Sequence, residues 1–112
     1  EPLPVELLIA PGGSLAIAKF ARHAGIKIQV GAQVGETGIL SAAGRTFAAH
    51  LPALASAEGS FGTWLLAEDV TFESLAFGLG GRAPLLKTRG LSVTVKEDAL
   101  QRFAAAKHEV RR

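Results

Sequence analysis

Short apolar runs broken by glycine and proline set the frame of this chain. Val5 to Ala10 is apolar except for Glu6 and stops at Pro11-Gly12-Gly13, a pattern that predicts a strand followed by a turn. Ser14 then predicts an N-cap for a helix from Leu15 to about Ala24. Leu15, Ile17, Ala18, Ala21 and Ala24 approximate one apolar stripe, and Lys19, Arg22 and His23 face outward. Gly25 fits the left-handed residue that ends such a helix. Ile26 to Gly31 predicts a second strand. Thr37 can cap a second helix from about Ile39 to His50, stopped by Leu51-Pro52.

The first half therefore reads strand, helix, strand, helix with short connections, the pattern of parallel βα units. Ala42, Ala43, Gly44, Ala48 and Ala49 are small enough to bring the second helix close to a sheet. A weaker apolar stretch leads to Glu58, and Trp64-Leu65-Leu66 precedes Glu68-Asp69. Gly78, Gly80 and Gly81 predict a loop before Pro84. Gly90 to Val95, with Leu91, Val93 and Val95 alternating, predicts a last strand. Glu97 to about His108 predicts a terminal helix, with Glu97 and Asp98 at its positive end and Lys107 near its negative end.

Composition narrows the options. The 112 residues suffice for one domain with a core and are too few for two. Net charge is +2, too small to point to a nucleic-acid partner. The basic excess at the end (Arg102, Lys107, Arg111 and Arg112 against Glu109) reads as a solvated helix terminus. Cysteine is absent, which excludes thiol catalysis, disulfides and thiolate metal sites and fits a cytoplasmic protein. No apolar run approaches the ~20 residues that span a bilayer, so no membrane partner is expected. The chain opens at Glu1 and contains no Met, which points to a cut, processed or internal start.

Most familiar chemistries find no motif. GETG and GLGGR lack the lysine and hydroxyl of a phosphate-binding loop and do not match GxGxxG. His23, His50 and His108 have no metal-ligand spacing, and none of the serines sits in GxSxG. Two carboxylates remain. Glu36 follows the second strand at the opening of a helix, where the macrodipole alone favours a negative charge by ~0.3–1 kcal/mol. Parallel α/β proteins handle ligands at that end of their strands, which makes Glu36 a candidate for function. Glu58 precedes Gly59-Ser60-Phe61-Gly62, a segment able to fold over a pocket. An acid there could act as general acid or hydrogen-bond a substrate oxygen, although position alone also fits an exposed loop charge.

Three ordered segments carry a family likeness: QVGAQVGETGILSAAGR, AEGSFGTWLLAEDV and FGLGGRAPLLKTRGLSVTVKEDAL. Together they resemble the C-terminal part of the enolase superfamily, in its mandelate racemase and muconate lactonizing enzyme branch, from about Val5 to Phe103. The resemblance implies a partial (β/α) barrel: about the last three βα units plus a C-terminal strand and helix, with residues 1–112 as one fragment of a barrel domain. Val5–Ala10 would be the sixth barrel strand, Ile26–Gly31 the seventh, and the segment reaching Glu58 the eighth.

Members of this family remove a proton next to a carboxylate. A divalent metal, usually magnesium, is held by acids on the third to fifth strands, and lysines often serve as bases. Glu58 falls where the family places a glutamate that hydrogen-bonds the substrate carboxylate. Glu36 matches an acidic position after the seventh strand with a supporting role. A full barrel needs ~250 residues, so the metal-ligand strands and the second-strand lysine lie outside this chain. The sixth-strand base position holds Leu7, and the position two before Gly12 holds Ala10, neither of which accepts a proton.

The resemblance thus implies a magnesium-dependent isomerase, racemase, cycloisomerase or dehydratase as the parent, acting on a small carboxylate. The isolated chain is expected to be inactive. The rival expectation is a non-catalytic α/β module that associates with itself, because a partial barrel leaves strand edges and an apolar inner face uncovered.

Overall fold

The computed structural model describes residues 11–52 and 54–107. The strand expected at Val5–Ala10, with Leu7, lies outside the described residues, as does His108. The described elements are helix α1 (Pro11–His23), strand β1 (Ile28–Val30), helix α2 (Gly38–Ala49), strand β2 (Leu54–Ala57), the single turn α3 (Gly62–Leu65), a 3-10 turn at Leu79–Gly81 and helix α4 (Glu97–Phe103).

β1 and β2 pair in parallel, with Ile28 opposite Leu54, Gln29 opposite Ser56 and Val30 opposite Ala57. The register slips between Ile28 and Gln29, so one extra residue of β2 is accommodated there. Parallel neighbours need a crossover, and α2 supplies it. The chain is thus a mixed helix–strand structure built on one β1–α2–β2 unit. A closed barrel is beyond what two paired strands establish.

α1 starts four residues earlier than the sequence pattern suggests, at Pro11 instead of Leu15. Proline is tolerated in the first turn, where its missing N–H costs no helical bond, so Pro11-Gly12-Gly13 opens the helix instead of forming a separate turn. Ser14 is consequently inside the helix and buried, not its cap. The buried stripe is Ser14, Ala18 and Ala21, at helical spacing, and Leu15 and Ala24 are exposed. Gly25 ends the helix at φ +69°, and the Ile26 N–H closes back on the Ala21 carbonyl at 2.8 Å. Ala18, Ala21 and Ile28 form the core beneath this helix, with Phe47 and Leu51 packed on it.

α2 lies against the strands through small residues. Ala42 is fully buried, and a Cβ on Gly44 would only just reach the Val30 side chain. Thr37 holds the N-cap position with extended backbone, but its hydroxyl makes no capping bond. The Asp69 carboxylate takes that role from a distant loop, accepting the Gly38 N–H at 2.8 and 3.0 Å and the Val70 N–H at 2.7 Å.

The C-terminal part departs from expectation. Gly90–Val95 is not a strand. Gly90 and Ser92 have positive φ (+67° and +58°), and the Ser92 hydroxyl both accepts from the Thr88 N–H and donates to the Thr88 carbonyl, closing a turn. Pairing survives only as an antiparallel bridge between Thr71 and Val95, framed by Phe72 N–H to Thr94 carbonyl (3.0 Å) and Lys96 N–H to Val70 carbonyl (2.8 Å). α4 ends at Phe103 instead of continuing toward His108. Ala99 is its one buried residue and positions 104–107 are all exposed, so no packing surface holds a longer helix.

Candidate functional site

A cleft of about 200 Å³ opens where β1 and β2 end and α2 passes over them. Val30 and Ala57 are the last strand residues on its wall, Arg45 comes from α2, and Phe77 and Leu85 close it from the long C-terminal loop. Glu36 and Glu58, the two carboxylates singled out by sequence, both line it. They reach it because each follows one of two adjacent parallel strands, whose C-terminal ends share an edge of the sheet.

Both carboxylates also hold the loop in shape. Glu58 continues β2: its backbone N–H donates to the Val30 carbonyl at 2.9 Å. Its Oε2 accepts the Ala32 N–H at 2.8 Å, and its Oε1 accepts from the Gln29 amide at 3.1 Å. Glu58 therefore ties the loop after β1 to the end of β2 and faces it as an acceptor. Glu36 accepts the Gln33 N–H through Oε2 (3.1 Å) and the Ser41 hydroxyl through Oε1 (2.6 Å), bracing the turn that leads into α2. The Glu36 carbonyl packs against Gly62 so closely that a side chain there has no room.

Arg45 is the residue that motif reasoning passed over. It is the one charged residue in α2, GILSAAGRTFAA, and that isolation in an otherwise small and apolar helix is the signal that could have found it. Its guanidinium lies 5.2 Å from the centre of the Phe77 ring, and its Nη2 donates to the Leu75 carbonyl. Its Nε is shielded from solvent and has no hydrogen-bond partner. Burial pulls its pKa below the usual arginine value.

His23 and His50 stay outside this cleft. The imidazole Nδ1 of His23 lies 2.7 Å from the Lys19 carbonyl and that of His50 lies 2.7 Å from the Thr46 carbonyl, each one helical turn back. No group of three or more His, Asp or Glu side chains able to hold a metal ion occurs among the described residues. No helix is long and apolar enough to cross a membrane among the described residues.

Comparison with family models, with curated proteins and with solved structures finds no match for this chain. The likeness to the enolase superfamily thus rests on the three sequence segments named above.

Proposed function

We propose that this chain is the C-terminal portion of the barrel domain of a mandelate racemase/muconate lactonizing-type enzyme. Its parent would abstract a proton next to the carboxylate of a small substrate, as an isomerase, cycloisomerase or dehydratase. Glu58 would orient the substrate carboxylate or the enediolate derived from it, and Glu36 would shape the mouth of the site. Magnesium and its ligands, with the base lysines, would come from parts of the parent outside this chain.

One observation carries the reading. Glu36 and Glu58, the two carboxylates singled out in the sequence, line one cleft at the C-terminal ends of a parallel pair, the position at which α/β barrels do their chemistry. The test is substrate-proton exchange in deuterated water by the parent enzyme, with magnesium present. Glu58→Gln in the parent should lower kcat/KM for exchange by about tenfold or more, the scale of one transition-state hydrogen bond. A parent that exchanges no proton α to any carboxylate overturns the proposal. The isolated chain is expected to show no magnesium-dependent exchange.

The second reading, a non-catalytic module that associates with itself, is favoured by a different observation. Trp64 is 80% exposed and Phe72 67%, a large apolar surface for so short a chain.

A further inference from the structure

We infer that Arg45 is the anion contact of the cleft, and that the ligand it takes is a small apolar molecule ending in a carboxylate. The inference deepens the proposed function and rests on that reading for its catalytic meaning only, since binding needs neither the metal nor the rest of a barrel.

The argument begins with charge. Among the described residues, Arg45 is the only cationic side chain lining the cleft, and it makes no ion pair. Glu36 and Glu58 form no ion pair with it, and their oxygens accept from donors of their own loops. What Arg45 has is one carbonyl acceptor, from Leu75, and the face of Phe77. These contacts hold the planar fork in place and leave its shielded Nε–H without an acceptor. A part-buried guanidinium so placed lacks the partner that burial of a charge requires. The depressed pKa of Arg45 has the same origin, desolvation without compensation.

The remaining wall sets the rest of the ligand. Val30, Ala57, Phe77 and Leu85 are apolar, and about 200 Å³ accommodates one ring or a short branched chain. A carboxylate suits the guanidinium fork because its two oxygens match two parallel N–H donors.

The test uses the full 112-residue chain with benzoate as the anionic probe and benzamide as its neutral isostere. Both are followed by the Arg45 Nε–H resonance and the Ala32 and Ala57 amides in nitrogen-15 spectra. Benzoate is expected to shift all three saturably, more weakly as salt is added, and benzamide to shift none. Arg45→Gln should weaken benzoate binding about tenfold or more, and Arg45→Lys by less. Should Arg45→Gln fail to fold, Glu36→Gln serves instead: removing a negative charge from the cleft should tighten benzoate binding. Equal binding of benzoate and benzamide, no saturable shift with benzoate, or a folded Arg45→Gln variant of unchanged affinity each overturn the assignment.

Its failure is separable from failure of the enzyme proposal. Proton exchange by the parent with no benzoate effect at Arg45 removes only the anion contact. Benzoate binding with no exchange by the parent removes only the enzyme reading.

Discussion

The two glutamates show how one side chain serves both a loop and a candidate site. Glu58 holds Ala32 and Gln29 whatever else it does, so its replacement changes the loop as well as the cleft. Glu58→Gln is the informative variant because it keeps an acceptor for Ala32 while it removes the charge and replaces the oxygen facing Gln29 with an NH2 group. Two neighbouring positions give sharper tests of the geometry. Gly62→Ala would drive a methyl group into the Glu36 carbonyl, a backbone atom that cannot rotate away. It is expected to cost about 1–3 kcal/mol, read from the urea midpoint. Glu73 supplies a pH test. Its carboxylate accepts the Thr94 N–H at 2.7 Å and the Thr94 hydroxyl at 2.8 Å, which hold its pKa below the usual carboxylate range. A carboxyl with a folded-state pKa below its unfolded value, roughly 4, stabilises the fold above that value. The contribution disappears as pH falls through the lowered folded-state pKa. The Tm of the natural chain should therefore drop further than that of Glu73→Gln between about pH 7 and about pH 3.

The elements differ in how far local sequence decides them. α1, β1 and α2 are legible because apolar spacing, Gly25 and Leu51-Pro52 all act within a few residues of the chain they shape, whereas the stretch that forms β2 carries only a weak apolar pattern. The start of α1 was misread because proline serves both in turns and in first helical turns, and only context separates the two. The capping of α2 was invisible for a different reason. Its carboxylate, Asp69, stands 31 residues from Gly38, and no local pattern announces such a contact. Gly90–Val95 alternates as a strand should, yet Ser92 binding Thr88 and the left-handed Gly90 turn it before a partner strand is reached. In the cleft, Glu36 is marked in the sequence by its place after a strand and Glu58 by the loop segment it precedes and by the family resemblance, whereas Arg45 belongs to no motif. The cap gives the element-scale prediction. Asp69→Ala should cost about 0.5–2 kcal/mol, with a loss of helix signal in circular dichroism. Asp69→Asn should cost less, because it keeps one oxygen for the Gly38 and Val70 N–H groups and loses the second oxygen and the charge.

At the scale of the whole molecule, the balance of covered and uncovered apolar surface decides behaviour in solution. The buried hydrophobic set among the described residues is mostly alanine and valine-sized, and Leu75 is its one large, fully buried side chain. Exposed large apolar side chains outnumber these among the described residues, and Phe20, Val34, Phe61, Trp64, Leu65, Phe72 and Leu79 are among those that stand more than half out of the surface. Burial of such groups is worth roughly 25 cal/mol per Å², so covering them is the largest stabilisation this chain has yet to gain. Polar contacts do not offset it. The Arg102–Glu68 pair, at 2.5 Å, is exposed on both sides, the kind of ion pair that contributes ~0–1 kcal/mol. The two-stranded sheet adds a further demand, because among the described residues β1 and β2 pair only with each other and each keeps an outer edge. Both proposed readings meet these demands by contact with more protein, either the rest of a barrel or another copy of the chain. For the chain by itself the expected outcome is association that rises with concentration, seen as increasing mass in light scattering. Trp64→Lys, which places a charge on an 80% exposed apolar site, should shift that association to higher concentration without lowering the urea midpoint measured in dilute solution. A monomer at all concentrations would mean that the described core, small as it is, suffices, and would remove the self-associating reading while leaving the barrel-fragment reading to the parent enzyme's proton-exchange assay.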